Sequence, residues 1–153
     1  MKAVIQRVTG ASVSVDGEVV GSCGKGFFVL LGVVKGDERE DAEILAKKVC
    51  ELRVFTDEND KMNLSLPQIG GELLVVSNFT LAADCTGGRR PSFFGAMEPE
   101  VADDYYKYFV EQCRSRGIKT ETGIFGADMK IIQHDDGPVT IILDSNELKR
   151  KKA

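Results

Sequence analysis

The sequence predicts an α/β protein in which a mostly antiparallel sheet assembly is covered by two helices. Short alternating apolar segments with turn signals favour antiparallel strands, one continuous apolar run favours a buried strand, and two segments carry apolar residues at helical spacing. The chain has 153 residues, of which 42% are hydrophobic, which is enough to bury one core. We expect a single domain over residues 1–145 and a short basic C-terminal tail over residues 146–153.

The N-terminal third has the pattern of three strands. Residues 4–8 form an apolar segment, and residues 11–15 alternate valine with serine. Asp16-Gly17 is a two-residue hairpin signal, so residues 18–22 are expected to return as the partner strand. Residues 26–34 are almost entirely apolar, which is typical of a strand that is covered on both faces.

The first helix is predicted to follow directly. Asp37 has the character of an N-cap residue, and Glu40 stands three positions later, as in a capping box. The helix is expected to bury one apolar stripe, formed by Ile44, Leu45, Val49 and Leu52.

The second helix is predicted to begin at Pro99, because proline suits the first helical turn. Gly117 supplies the stop signal at its C-terminal end. Its apolar face is expected to consist of Val101, Tyr105, Tyr108 and Phe109.

The remaining segments complete the sheet. A polar turn, a buried strand, a loop rich in Gly, Arg and Pro, and two closing strands are predicted at residues 57–60, 72–76, 82–95, 129–133 and 139–143. Residues 134–138 are expected to join the two closing strands as a turn, because glycine and proline are common turn residues.

Composition argues against several classes of site. His134 is the only histidine, so a Ser-His-Asp site or a histidine-containing metal site would have to be built on it. The four cysteines lack a CxxC spacing, which argues against a zinc cluster. We expect no metal and no cofactor. No apolar run reaches the roughly 18 residues of a membrane span, and a signal-peptide pattern is missing, so we expect a cytoplasmic protein.

The net charge of −4 is unlike that of a protein that grips long stretches of nucleic acid. An RNA partner would be held over a short stretch. Local basic clusters could contact it or could simply be solvated surface; they are Arg89-Arg90, Arg114 with Arg116, and residues 149–152.

Two short segments could carry chemistry. The first, residues 77–81, places hydroxyl groups at the end of a buried strand. Thr80 could act as a nucleophile, although no base stands near it in sequence; backbone N–H groups could instead stabilise an oxyanion, or the hydroxyls could merely cap the strand. The second, residues 136–140, could be an ordinary turn, or Gly137-Pro138 could be a cis peptide whose carbonyl groups hold an ammonium group.

Together these segments resemble the two signature motifs of the D-aminoacyl-tRNA deacylases. The resemblance covers nearly the whole chain and includes residues 4–8, 27–33, 61–64, 90–93, 98–99 and 123–129. It implies a barrel-like core, a homodimer, and hydrolysis of the ester bond of D-aminoacyl-tRNA, with glycyl-tRNA mischarged on tRNA-Ala as a further substrate.

The resemblance also implies roles for individual residues. Gly137 and Pro138 would form a cis peptide that enters the partner's active site, captures the substrate's α-amino group and excludes L-side chains, while Arg7 would hold this motif in place. Catalysis would depend on backbone amides and the 2′-hydroxyl of the RNA, at a site formed by Ser77, Phe79 and Thr80. The substrate-binding set would further include Asn78, and the pocket for the terminal adenosine would be lined by Phe79, Ala96, Phe125, Gly126 and Met129.

Two departures from the family pattern stand out. Asn78 occupies a position where the family usually has glutamine, and Asp135 one where asparagine is common.

Three other interpretations stay open: a non-catalytic module that binds the tRNA end, a relative with a trans Gly-Pro bond and relaxed chirality, and a threonine hydrolase that acts on other D-amino-acid esters or peptides.

Overall fold

The computed structural model describes residues 1–150, and every structural statement below concerns that part of the chain. Six strands form one large sheet and two form a small hairpin. The strands are β1 (Lys2–Val15), β2 (Glu18–Cys23), β3 (Gly26–Gly32), β4 (Phe55–Thr56), β5 (Met62–Leu64), β6 (Glu72–Ser77), β7 (Lys119–Thr122) and β8 (Lys130–Asp144). The helices are α1 (Arg39–Glu51), α2 (Leu66–Ile69), α3 (Pro99–Ser115) and α4 (Ser145–Arg150), with a 3-10 helix at Phe79–Ala82.

The large sheet mixes antiparallel and parallel pairings. Its order is β2-β1-β3-β6-β7, and β8 pairs with the other edge of β1. β1 is antiparallel to β2, β3 and β8, whereas β3–β6 and β6–β7 are parallel. Parallel neighbours need a crossover connection, and α1 and α3 lie in the two crossovers. The predicted α/β class with two covering helices is therefore confirmed.

The sheet curls into a nearly closed, barrel-like form. The backbone N–H of Ser22 in β2 donates to Oε1 of Glu121 in β7 at 2.8 Å, which joins the two ends of the sheet. At Gly21 the strands approach so closely that a Cβ atom would lie 2.2 Å from the carbonyl oxygen of Thr122. A side chain at position 21 would force these strands apart.

Buried side chains form two clusters. The larger one lies between the sheet and the helices, where Phe27 of β3 stacks against Phe55 with ring centroids 4.9 Å apart. The smaller one fills the barrel interior and includes Val8, Val13, Phe28, Leu74 and Val76. Consecutive residues of β3 enter both clusters, so the predicted burial of this strand on both faces is confirmed.

The predicted start of the first helix is wrong by one residue. The N-cap is Glu38, and Asp41 at the third helical position completes the capping box. Asp37 serves another purpose: its carboxylate accepts from the N-terminal ammonium of Met1 at 2.7 Å and from the backbone N–H of Val34 at 2.8 Å. The predicted stripe is partly right, because Leu45 and Val49 are buried while Ile44 and Leu52 are only half-buried.

The second helix has the predicted ends, with Pro99 in its first turn and Gly117 after its last, but its buried face is rotated from the prediction. Phe109 is buried as expected, whereas Val101 is exposed. Tyr106 is buried more deeply than Tyr105 or Tyr108. The amphipathic pattern of tyrosines allows two faces. Packing against α1 and the sheet selects the face with Ala102, Tyr106, Phe109, Val110 and Cys113.

The two predicted closing strands are one strand, β8, and the first two predicted strands are likewise one strand, β1. The pairing partners run from Gln6–Thr140 to Val8–Asp135, so β8 covers five positions while β1 advances two. The extra residues of β8 bulge out of the ladder there, and they include Gly137 and Pro138. Bulges let a strand continue through residues that would otherwise predict a turn.

The C-terminal segment predicted as a basic tail begins as the helix α4. Its first residue, Ser145, is buried and hydrogen-bonded to Asp41, and Lys149 forms an ion pair with the same carboxylate at 2.9 Å. Residues 151–153 of the predicted tail lie outside the described residues. No helix within residues 1–150 is long and apolar enough to cross a membrane.

Candidate active site

A cavity of about 790 Å³ opens at the C-terminal end of β6. Its walls come from six parts of the chain: the end of β3 with the residues that follow it, the end of β6, the 3-10 helix, the loop before α3, the start of α3, and the segment that leads into β8. Its lining includes Val76, Ser77, Asn78, Phe79, Phe93, Phe94, Ala96, Met97, Phe125, Gly126, Met129 and Ile131. The lining is mostly apolar, which suits a flat, weakly polar ligand.

One wall is shaped by the turn that follows β6. The backbone N–H of Asn78 donates to the carbonyl of Leu31 at 2.8 Å, which anchors the turn to the neighbouring strand β3. Oδ1 of Asn78 then accepts from the backbone N–H of Thr80 at 3.1 Å and also from the Thr80 hydroxyl. The turn presents the ring of Phe79 to the cavity, edge-on to Phe93 with centroids 5.2 Å apart.

Another part of the wall is formed by Phe125, Gly126, Ala127 and Met129. Gly126 has a φ of +79°, a conformation that favours glycine. Phe125 packs against Tyr106 with ring centroids 6.2 Å apart. The hydroxyl of Tyr106 donates to the carbonyl of Val75 at 2.8 Å, and burial raises the pKa of Tyr106 to about 12. Tyr106 is therefore a neutral donor that fixes α3 against β6 behind this wall.

The rim of the cavity carries two residues to which the sequence assigned no role. The ammonium of Lys35 lies 3.6 Å from the ring centroid of Phe94, and Phe94 is 81% exposed. Both residues line the cavity. Their partnership depends on an isolated bridge between Val34 and Ala96, which is a long-range contact that no local pattern reveals.

A second group of predicted residues lies on β8, away from this cavity. The Gly137-Pro138 peptide is cis, and Gly137 has a φ of +136°. Arg7 of β1 is almost buried; its Nε donates to the carbonyl of Asp136 at 3.0 Å and its Nη1 to the carbonyl of Val54 at 2.7 Å. Within one chain, Arg7 thus ties the bulge of β8 to the hairpin region beside α1.

The structure brings together Ser77, Asn78, Phe79, Ala96, Phe125, Gly126 and Met129, which all line the cavity. Thr80, Arg7, Gly137 and Pro138 are not part of the lining formed by residues 1–150. Gly137 lies six positions along β8 from Ile131 in the cavity wall, which is up to about 20 Å of extended strand. The predicted site is consequently divided between two places on the single chain.

A mixed-sheet, barrel-like fold with an aromatic-lined cavity at a strand end defines a small α/β protein that can hold a planar group such as a nucleobase, because bases stack on aromatic rings. Comparison with known proteins identifies the class further. The family model described as D-Tyr-tRNA(Tyr) deacylase matches residues 4–144. The chain belongs to this family, whose members hydrolyse the ester bond of aminoacyl-tRNA.

Relatives support this membership over nearly the full length. A D-aminoacyl-tRNA deacylase of Photorhabdus laumondii is 59% identical over 143 residues, which cover 94% of this chain and 99% of that protein. One of Pelobacter propionicus is 57% identical over 144 residues, with coverages of 94% and 99%. One of Dictyoglomus turgidum is 51% identical over 152 residues, with coverages of 99% and 97%.

Two solved structures have the same fold. The structure described as c-Myc DNA Unwinding Element Binding Protein superimposes with a TM-score of 0.87 at 43% identity, covering 94% of this chain and 98% of that one. A probable eukaryotic D-amino acid tRNA deacylase superimposes with a TM-score of 0.80 at 16% identity, covering 93% and 97%; at that identity the likeness concerns the fold alone.

Proposed function

We propose that this protein removes D-amino acids from transfer RNA by hydrolysing the ester bond to the terminal ribose, and that it also acts on glycyl-tRNA mischarged on tRNA-Ala. The observation that carries the proposal is the aromatic cavity at the end of β6, in a chain of the deacylase family. Since the substrate is a component of translation, we infer that the protein works in the cytoplasm.

The terminal adenosine occupies the cavity in this proposal. Phe79 and Phe125 both line the cavity, and Met129 adds a polarisable sulfur; such groups pack well against a base. Ala96 and Gly126 keep the cavity wide by having little or no side chain. The ester bond then lies near the turn that contains Ser77 and Phe79.

Catalysis in this scheme uses backbone groups of the protein and the ribose 2′-hydroxyl. The Thr80 N–H already donates to Asn78 Oδ1 at 3.1 Å, so the Phe79 N–H is the better candidate to stabilise the oxyanion, because a free N–H aimed at developing negative charge lowers the barrier. The 2′-hydroxyl activates the attacking water. The role of Ser77 is to shape this turn and to place its polar side chain beside the ester.

Selection of the D-substrate requires a second subunit. Gly137 and Pro138 lie about 20 Å along β8 from their own cavity, so they can serve a cavity only in a partner chain. β8 is also suited to an interface: it has a long free edge and exposes Ile132 and Ile142, which are 58% and 74% accessible. Exposed apolar surface of this kind marks association sites. We infer a homodimer in which these carbonyl groups capture the substrate's α-amino group.

Chirality follows from this arrangement. A carbonyl pair that holds the α-amino group leaves no room for a side chain on the L-face, whereas a D-side chain points away and glycine has none to exclude. Such exclusion gives specificity without added affinity for the right substrate.

The test is a deacylation time course on D-tyrosyl-tRNA, L-tyrosyl-tRNA and glycyl-tRNA. We expect rapid loss of the D-ester and of glycine, with the L-ester untouched. Equal loss of the D- and L-esters would contradict the exclusion mechanism but retain the hydrolase. Binding of the tRNA end without any turnover would favour a non-catalytic module instead.

A threonine hydrolase is less well supported. The Thr80 hydroxyl donates to Asn78 Oδ1 and lies outside the cavity lining of the described residues. A nucleophile needs a neighbouring base and access to the substrate. Activity on free D-amino-acid esters equal to that on tRNA would be the result that favours this alternative.

A further inference from the structure

We propose that Lys35, Phe94 and the loop carrying Arg89 and Arg90 form a second nucleotide subsite at the rim of the cavity, which binds the nucleotide that precedes the terminal adenosine. The inference rests on the proposed function, because it places the adenosine of the same RNA strand in the cavity. It adds a stacking platform and a phosphate contact outside that cavity.

The ring of Phe94 is the first observation. It lines the cavity yet is 81% exposed, so it stands at the rim and not on the floor. Phe79 and Phe93, which are 58% and 36% exposed, line the same cavity, and exposed apolar patches of this kind mark ligand-binding surfaces. Lys35 lies over one face of the ring at 3.6 Å, which leaves the other face for a planar partner from solution.

The position of this ring is fixed by the backbone. The N–H of Lys35 donates to the carbonyl of Gly95 at 2.8 Å, and the N–H of Met97 donates to the carbonyl of Val33 at 3.1 Å. These bonds hold the loop before α3 against the end of β3. A platform that is ordered before the ligand arrives loses less entropy on binding.

The adjoining loop supplies positive charge. Backbone hydrogen bonds of 2.8 Å in both directions between Asp84 and Ser92 close its base, and the Asp84 carboxylate accepts from the N–H and hydroxyl of Thr86. The ordered loop exposes Arg89 and Arg90, and its base adjoins Phe93, which lines the cavity. The loop that joins the rim at Phe93 thus carries two exposed guanidinium groups, and Lys35 adds an ammonium group at the rim, in a protein whose net charge is −4.

A single-stranded RNA end fits this combination best. Single strands are bound by aromatic side chains that stack on bases and by basic groups that follow the phosphates. The RNA strand leaves the cavity at its rim, where the next base meets the open face of Phe94. Its phosphate then lies within reach of Lys35 or of the arginine loop. In transfer RNA this nucleotide is cytidine, so the subsite binds a pyrimidine.

The test compares two D-tyrosyl esters, one on adenosine 5′-monophosphate and one on the trinucleotide CpCpA. For the unaltered protein we expect kcat/KM to be about tenfold or more higher for the trinucleotide ester, as one stacked base contributes. Phe94→Ala should bring the ratio of the two kcat/KM values close to one, and Phe94→Tyr should restore it. Val19→Ala, which alters an exposed apolar residue on β2, serves as the control and should keep the ratio of the unaltered protein.

The charge contribution is measured by the salt dependence of CpCpA binding. Loss of one phosphate contact should reduce the slope of log affinity against log salt by about 0.7. We expect this reduction for Lys35→Gln or for Arg89→Gln with Arg90→Gln, and no reduction for Lys47→Gln on the exposed face of α1. An unchanged slope in both rim variants would overturn the phosphate contact.

A binding measurement separates this proposal from the function on which it rests. CpCpA without an attached amino acid and adenosine 5′-monophosphate are each titrated into the protein by calorimetry, so that binding is measured without hydrolysis. Tighter binding of CpCpA that is lost in Phe94→Ala supports the subsite even if no D-ester is cleaved. Equal affinity for the two ligands, or a preference that survives Phe94→Ala, overturns it even if deacylation is fast.

Discussion

At the scale of single residues, the Thr80 hydroxyl takes part in a hydrogen bond within the turn after β6. It donates to Asn78 Oδ1, which also accepts from the Thr80 backbone N–H at 3.1 Å. The backbone bond remains when the hydroxyl is removed, so Thr80→Ala should keep the turn and its Phe79 ring in place. We expect kcat for D-tyrosyl-tRNA within about fivefold of the unaltered value. Single-turnover kinetics measure it, and a collapse of about a thousandfold would restore Thr80 as the nucleophile.

Arg7 is a residue whose shape matters as much as its charge. Nε and Nη1 donate to the carbonyls of Asp136 and Val54 at once, and the single nitrogen of a lysine cannot occupy both of these donor positions. We expect Arg7→Lys to lower kcat/KM for D-tyrosyl-tRNA by about tenfold or more, and to cost about 1–3 kcal/mol in unfolding free energy because a buried carbonyl loses its donor. Arg53→Lys is the matched control, since the exposed Arg53 also donates from Nε to a carbonyl. Equal losses in the two variants would contradict a special role for Arg7.

Sequence alone could predict part of the candidate site. The segments around Phe79 and around Gly137 stand out by their residue types, and only the resemblance to the deacylases adds the run around Gly126 to the pocket of Phe79. Lys35 and Phe94 had no such signal, because they meet only through the contact of the chain near Val34 with Ala96. Local patterns carry information about local contacts, and this pair is separated by a long stretch of the chain.

At the scale of elements, the start of α1 depends on a buried carboxylate. Asp41 accepts from the Glu38 N–H at 2.8 Å, which closes the capping box, and from the Ser145 hydroxyl at 2.6 Å, which docks α4. Burial opposes its ionisation, yet these hydrogen bonds, together with Lys149, hold the pKa of Asp41 below its ordinary value of 3.8. A lowered carboxyl pKa stabilises the fold above that value, and the contribution is lost as pH falls through the folded pKa.

Asp41→Asn should therefore destabilise the protein near neutral pH by about 2 kcal/mol, because an amide cannot accept at both positions. The difference in unfolding free energy from the unaltered protein should shrink as pH falls below 3.8. Denaturant unfolding over a series of pH values measures it. Asp104→Asn is the control, because its ion pair with Arg39 is exposed and should contribute little. If the difference in unfolding free energy between Asp41→Asn and the unaltered protein stays constant down to acid pH, stability does not depend on the ionisation of Asp41.

Elements were predicted well where one local signal dominated. The Asp16-Gly17 hairpin, the buried run of β3 and the proline start of α3 each depend on residues adjacent in sequence. The errors arose where distant partners choose between alternatives: α1 and the sheet select the face of α3, and the bulge against β1 keeps β8 continuous through Gly137 and Pro138. A strand with a glycine and a proline at its centre has the local signal of a turn.

At the scale of the whole molecule, the parallel pairings explain where the cavity lies. β3 and β6 end side by side, and the chain leaves both strands at the same edge of the sheet. The turn after β6 and the loop before α3 therefore face each other there, as ligand sites do at the carboxyl ends of parallel strands. The antiparallel β1–β8 ladder carries the Gly137-Pro138 bulge to a different part of the surface. The two parts of the proposed site therefore lie apart on the single chain.

Subunit mixing tests whether the Gly137-Pro138 bulge of one chain acts on the cavity of a partner chain. Ala96→Phe fills the cavity of one variant, and Gly137→Ala distorts the bulge of the other, because a Cβ there would lie 2.7 Å from the Val139 nitrogen. Each variant alone should be nearly inactive on D-tyrosyl-tRNA. After denaturation and refolding together, half of the dimers are mixed, and each mixed dimer has one intact cavity that faces one intact bulge, so about a quarter of the sites should recover. Recovery near that value requires the bulge to act across the interface. If the mixture stays inactive while the unaltered protein regains activity after the same treatment, or if a monomer is fully active, the bulge does not serve the partner's cavity and the proposed basis of chiral selection is wrong.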